Sequence, residues 1–461
     1  MNATATATVK AIRAGETSAS AVINATLARI AADNARLGAF TDITNDRASK
    51  RAATIDAMLA AGRDPGPLAG VPFAVKNLFD VAGLTTRAGS RINRELPPAT
   101  RDAVLIERLE SAGAILVGAL NMGEYAYDFT GENPHDGPSR NPHDPSRMAG
   151  GSSGGSGSAV AGGLVPLALG SDTNGSIRVP ASFCGIYGLK PTYGRLPRTG
   201  SFPFVDSLDH VGPMARSVAD LALSYDAMQG YDPDDPVCAD RPAQPVSELF
   251  RQGADGLRIA TLGGWFRRGA GTQALAALDT CARALGVTRT ITLHGAERAR
   301  EAAFVITNVE GAALHLSAIR NRIGDFGPAI QDRLMSGALV PAAAYVMAQR
   351  LRRAFRAEVA AHFTEIDVFL APATPMTAPL LGAETMELDG KTVPLKPNIG
   401  LFTQPLSFIG LPVVAVPVPG GDMPIGVQVI AAAGREDLAL RVAHTLAETG
   451  AAAVFHNPEA K

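Results

Sequence analysis

The period of apolar and polar positions changes several times along the chain, and each change marks an expected element. Between residues 8 and 34, Val22, Ile23, Leu27 and Ile30 share one face at helical spacing. Ile12 precedes a stop at Gly15, and Thr17 or Ser18 is placed to cap the second of two helices. "VPFAVKNLFD" (71–80) begins as a short continuous apolar run and acquires a lysine at position 76. "RDAVLIERLESAGAILVG" (101–118) reads as a helix, a glycine break and a strand at 114–117. Residues 131–155, rich in Gly, Pro, Asn, Asp and Ser, predict irregular structure, and "SAVAGG" beyond them suits a tightly packed helix.

Further strands are expected in "VPLALGSD" (165–172), "LRIATLGG", "IDVFLAP" (366–372), "LPVVAVPVP" and "PIGVQVIAA". Ser217 and Asp220 have capping-box spacing before "LALSYDAMQG". Helical patterns dominate 271–364, including "ALAALDTCARAL" and the segment 340–362, and a last helix at 435–450 ends on glycine. Strands recur near both ends and no repeat is found. The expected organisation is one large α/β unit over 1–461, with an N-terminal helical segment at 1–65 and a mainly helical cover at 240–365.

Composition narrows the function classes. Lys+Arg total 42 and Asp+Glu 44, a formal net charge of −2, which gives no broad basic field for nucleic acid or anionic lipid. Cys184, Cys238 and Cys281 form no CxxC pair or zinc spacing, and such sparse use suits a reducing compartment. The start, "MNATATATVK", lacks a signal-peptide pattern, and no uninterrupted apolar stretch reaches about 18 residues. A soluble cytoplasmic protein is the default expectation. No HExxH or comparable histidine cluster occurs, so no metal or cofactor is expected. His143 beside Asp144, and His210 after Asp209, read as turn or supporting residues, and Cys184 within "ASFCG" as a packed thiol.

The chemistry concentrates around "GGSSGGSGSAVAGG", 150–163. Its composition is that of a flexible linker, yet it runs directly into apolar, core-like sequence. As a phosphate loop it lacks the GK[ST] that follows P-loop glycines, and no strand precedes it for a dinucleotide fingerprint. "GSSGG" matches a nucleophile elbow centred on Ser153, again without the preceding strand. A fourth reading joins it to "GSDTNGSIRVPASFCG" (170–185) and to Lys76. A serine nucleophile needs a proton acceptor, no histidine lies in either serine segment, and a lysine kept neutral by apolar surroundings can serve. A snorkelling surface lysine is the alternative for Lys76.

"GVPFAVKNLFDVAG" (70–83), the long run from Gly150 to Arg195, "SLDHVGPMARS" (207–217), "DVFLAPATPMTAP" (367–379) and "PIGVQVI" (424–430) together resemble the amidase signature family. The resemblance covers nearly the whole chain and is weakest at about 240–360. It implies an α/β fold with a large central mixed sheet covered by helices on both faces. It also implies an amidohydrolase with a Ser-cisSer-Lys triad: Ser176 as nucleophile, Ser152 as proton relay after a cis peptide from Gly151, and Lys76 as base. Thr173, Asn174, Gly175 and Ser176 would supply an oxyanion hole through backbone N–H groups, with asparagine at 174 where many members have glycine. Asp172 and Arg178 would orient that loop, a surface ion pair being the alternative.

Within the family, "NMGEYAYDFTGENPHDGPSRNPHDPSR" and "GSDTNGSIRVPASFCG" look most like 1-carboxybiuret hydrolases of cyanuric acid breakdown, with similarity also to the A subunit of glutamyl-tRNA amidotransferase. The first likeness implies a small anionic urea-like substrate, release of ammonia, and a small helical partner resembling the amidotransferase C subunit, in a heterotetramer. An anionic substrate needs cationic or N–H-rich surroundings, for which Arg87, Arg178, Arg195 and Arg198 are available. Tyr125, Tyr127, Asp128 and Arg178 are the expected substrate-binding residues, and Phe402–Thr403 are further pocket candidates; each has a structural alternative. The other readings are a glutaminase component of an amidotransferase, a general amidase and a catalytically silent scaffold.

Overall fold

Apolar strand residues sort cleanly onto two faces. In the computed structural model, which describes residues 3–419 and 421–455, Phe73 and Val75 enter one core while Ala74, between them, enters another. Leu116 divides in the same way from Ile115 and Val117, and Leu167 and Leu169 from Ala168. Successive strand side chains point to opposite faces, so a sheet apolar on both must be covered on both.

That sheet has eleven strands. From one edge the order is Phe40–Ile43, Ile115–Leu120, Pro72–Lys76, Leu167–Ser171, Val211–Ala215, Tyr187–Lys190, Val413–Val418, Ile425–Ala431, Val368–Pro372, Ile259–Leu262 and Thr290–Ile291. It is mixed: Pro72–Lys76 runs parallel to both neighbours, whereas Val413–Val418 and Ile425–Ala431 pair antiparallel. Strands from positions 40 to 431 thus share one hydrogen-bonded surface. Helices Ala19–Leu37 and Gly154–Ala161 contribute to the core on one face, Val218–Met228, Thr272–Ala284, Ala296–Leu314 and Glu436–Glu448 to the other, and Ala5–Arg13 reaches both, through Ile12 and Ala5. Among the described residues no single helix is long and apolar enough to cross a membrane.

The expected elements recur with local differences. The N-terminal 65 residues are not purely helical, because Phe40–Ile43 supplies the edge strand between two helices. The region 131–155 holds a small hairpin, Arg140–Asn141 with Asp144–Met148, and a helix begins at Gly154. Ser18 caps the second helix, its side chain accepting from Ala21 N at 3.0 Å, after Gly15 turns at φ 72°. The capping box at Ser217 is half made. Its hydroxyl accepts from Asp220 N, but the Asp220 carboxylate accepts from Ala5 and Thr6 N, both at 2.9 Å, capping the first helix of the chain. A distant helix N-terminus competes for the same carboxylate and wins it.

Candidate active site

Lys76 ends the fully buried strand Pro72–Lys76, and the parallel neighbour Leu167–Ser171 ends beside it at Ser171. Ends of parallel strands of this kind are where α/β sheets present reactive groups. Lys76 Nζ lies 2.6 Å from Ser152 Oγ and 2.8 Å from Ser171 Oγ, and the lysine is 0% exposed. Burial outweighs the attraction of Asp209, Asp172 and Asp128 and brings its pKa down to about 7. This lysine does not snorkel to the surface.

Ser152 follows a cis peptide from Gly151 and precedes the helix Gly154–Ala161. Glycine at 151 is required by close approach: a Cβ there would lie 2.7 Å from Gly131 N and 2.8 Å from Asp128 Oδ2. The whole stretch from Gly150 to Val160 is buried, which removes the linker reading. Ser153, centre of the elbow match, turns to the backbone of Ser171, its Oγ 3.2 Å from Ser171 O and 3.3 Å from Ser171 N.

The Thr173–Ser176 loop faces Ser152 through a bond from Ser153 N to Ser176 O. Among the described residues, the N–H groups of Thr173, Asn174, Gly175 and Ser176 donate to no acceptor, and Ser176 Oγ has no hydrogen-bond partner. Four free donors beside a free hydroxyl can stabilise an oxyanion. The loop is braced from every side. Thr173 Oγ1 donates to Asp209 Oδ1 at 2.6 Å, Thr403 Oγ1 donates to Asn174 O at 2.6 Å, and Asn174 Nδ2 donates to Thr307 Oγ1 at 2.9 Å. Gly175 has φ 143°, and a Cβ there would meet Thr403 Oγ1 at 2.2 Å.

Asp172 and Arg178 form a bidentate pair, 2.9 Å on each side, with both side chains 0% exposed; this is no surface ion pair. Burial would raise the Asp172 pKa, but Arg178 holds the carboxyl well below the usual range. The remaining Arg178 donors go to Thr403 O, Gln428 Oε1 and Ser407 Oγ. Arg178 is therefore a brace of the loop with no donor left for substrate. His210 Nδ1 donates toward Leu208 O and Asp172 O, and burial keeps its pKa well below the ordinary value. Its ring supports the same loop.

The other expected binding residues separate. Arg87 is held by Asp42, Arg195 by Gln229 and Pro242 O, and Arg198 by Asp235, so none of these three reaches the cluster around Lys76. Tyr125 is buried among Phe202, His315 and Phe326 with its hydroxyl on Asn93. Phe402 is buried in the core. Tyr127 and Asp128, by contrast, line a cavity of about 290 Å³ whose Asp128 side abuts Gly151. Arg333 and Lys396 line it too, and the Arg333 guanidinium lies 5.2 Å over the Tyr127 ring with no ion-pair partner among the described residues. Sequence reasoning missed Ser171, Thr307 and Arg333. Ser171 was visible in principle, as the end of an expected strand; Thr307 and Arg333 lie in helices with no local motif. Cys184 packs against Ala149 O, and burial pushes its thiol pKa up.

Comparison with known proteins identifies the family. A protein-family model described as Amidase matches residues 21–440. The chain is 55% identical over 447 residues to AtzE, a component of the 1-carboxybiuret hydrolase of Pseudomonas sp. (strain ADP), covering 96% of this chain and 98% of that one. It is 36% identical to the A subunit of the glutamyl-tRNA(Gln) amidotransferase of Synechococcus sp. (strain RCC307), covering 98% of each. A solved structure described as "An unexpected vestigial protein complex reveals the evolutionary origins of an s-triazine catabolic enzyme" superposes with TM-score 0.97 at 54% identity, over 98% of this chain and 100% of that one. A bacterial aryl acylamidase shares the fold with TM-score 0.89 at 24% identity, over 97% of this chain and 96% of that one. The chain belongs to the amidase family, with the amidase signature fold, and is a hydrolase of C–N amide bonds.

Proposed function

We propose that this amidase hydrolyses the terminal amide of a small anionic urea-type substrate, 1-carboxybiuret, in cyanuric acid degradation. The near full-length similarity to a 1-carboxybiuret hydrolase chain carries the choice of substrate. Glu124, Asp128 and Glu132 also line the cavity beside Gly151, and Lys396 pairs there with Glu132. Arg333 is the cation in it that has no ion pair among the described residues and is open to an acidic ligand.

In this reading Ser176 Oγ attacks the terminal carbonyl carbon. Its proton passes through Ser152 to neutral Lys76, and the N–H groups of residues 173–176 stabilise the oxyanion. The C–N bond breaks as the proton returns through Ser152 to the departing nitrogen, which leaves as ammonia. Water then attacks the acyl-enzyme, losing its proton along the same route, and Ser176 is restored. A pKa of about 7 suits a lysine that must accept and return a proton near neutral pH. A small helical partner protein in a heterotetramer and a cytoplasmic location complete the proposal. Similarity to a structure described as a protein complex supports the partner.

The test is ammonia release from 1-carboxybiuret, biuret, allophanate, glutamine and simple aryl and alkyl amides, with and without a co-purifying small partner. We expect a strong preference for 1-carboxybiuret. Glutamine hydrolysis that depends on a transamidation partner would replace this reading with the amidotransferase one, and broad turnover of apolar amides with a general amidase.

A further inference from the structure

Asn174 is 7% exposed, yet two of its polar groups have no partner. Its carbonyl accepts from Thr403 Oγ1 and its Nδ2 donates to Thr307 Oγ1, while its backbone N–H and its buried Oδ1 meet nothing among the described residues. A buried acceptor without a hydrogen bond is costly and uncommon in a folded protein, and calls for a reason. Here it sits two residues before Ser176, in the loop whose N–H groups face the reacting carbonyl. One residue thus carries both a free donor and a free acceptor.

That pair is complementary to an O=C–N–H edge. In a urea or biuret the reacting carbonyl has nitrogen on both sides: one departs, and the other keeps its N–H on the acyl side. In an ordinary carboxamide the acyl side is carbon and offers no donor. We propose that Asn174 is a specificity residue. Its Oδ1 accepts the acyl-side N–H of the substrate while its backbone N–H faces the carbonyl oxygen, so that ureas are favoured over carboxamides. Thr307, reaching in from the helix Ala296–Leu314, is the positioning residue that holds the amide by accepting from Nδ2. A site built to accept an N–H discriminates against an analogue lacking it, because the buried acceptor then stays unpaired. The inference rests on the urea-type reading of the substrate and gives it a structural cause.

The test compares 1-carboxybiuret with its carba-analogue, in which a methylene replaces the N–H between the two carbonyls. The quantity read is the ratio of kcat/KM for the two in the wild type, Asn174→Ala and Thr307→Val, with folding checked by circular dichroism and thermal melting. The wild type is expected to favour the N–H compound. Asn174→Ala should lower the ratio by roughly tenfold or more, the scale of one hydrogen bond to a buried acceptor. Thr307→Val should move the ratio in the same direction by less. Equal losses on both substrates, or an unchanged ratio, would show that Asn174 only shapes the loop and would overturn the inference alone. A wild type that favours the carba-analogue, or cleaves neither, would overturn the functional reading with it.

Discussion

Lys76 Nζ lies 2.6 Å from Ser152 Oγ at a place where the lysine has no contact with solvent. The charged form is penalised there, and the nearest hydroxyls become its proton-exchange partners. The rate should therefore depend on the neutral lysine. We expect kcat/KM to rise with pH through about 7 and the limb to vanish in Lys76→Met, with a loss on the order of 10²–10⁴-fold. Lys76→Arg, which retains a charge at every accessible pH, should be equally inactive. A pH–rate profile of the three proteins decides this.

The same shift has a stability consequence of defined sign. The folded pKa of about 7 lies below the ordinary 10.5, so between those values the unfolded chain binds more protons. This lysine should make the protein more stable as pH rises from about 7 to 10.5, and its full penalty is present below that window. Urea denaturation across the range should give a shallower pH slope for Lys76→Met than for wild type, and greater stability for the variant near pH 7.

Ser171 Oγ, 2.8 Å from Nζ, is the second oxygen that helps hold a proton on Lys76. Removing it disfavours the charged form. Ser171→Ala should move the acidic limb of the profile below about 7 with folding intact. A limb left in place would mean that Ser171 has no part in setting the lysine's proton affinity.

Ser176→Ala should abolish acyl-enzyme formation and lower hydrolysis by at least about a thousandfold, the scale for loss of a nucleophile. Intact-protein mass spectrometry with a slow substrate should find the acyl group on the wild-type chain at Ser176 and on no residue of the variant. Acylation elsewhere would reassign the nucleophile.

Two substitutions test the loop that holds the free N–H groups. Gly175→Ala would place a Cβ 2.2 Å from Thr403 Oγ1 at a φ of 143°, displacing the donors. A loss of about 10²-fold in kcat, larger than any change in KM, is expected. Arg178→Leu leaves Asp172 charged and unpaired in a site that excludes solvent. It should cost about 3–5 kcal/mol in denaturant unfolding, and Asp172→Asn combined with Arg178→Leu should recover part of that.

The sequence by itself determined the strands that are short apolar runs, such as 71–76 and 165–171, which need no distant partner to be recognised. Phe40–Ile43, Tyr187–Lys190, Val211–Ala215 and Thr290–Ile291 carry no such run and were fixed by pairing in the sheet. The sequence also singled out Lys76, Ser152 and Ser176 as candidates, since each stands in a long motif. Tertiary structure decided what each side chain does, because hydrogen bonds are won by whichever group arrives nearest. Asp220 has the spacing to complete its own helix cap, yet folding brings Ala5 and Thr6 to it from the far end of the chain. Arg178 has the charge for an anionic substrate, but Asp172, Ser407 and Gln428 take its donors. Arg333, with no motif around it, is the cation at the cavity beside Gly151 that has no ion-pair partner among the described residues. Local pattern specifies an element through its neighbours in sequence. The fate of a charge depends on neighbours in space, and those exist only once the eleven strands have assembled.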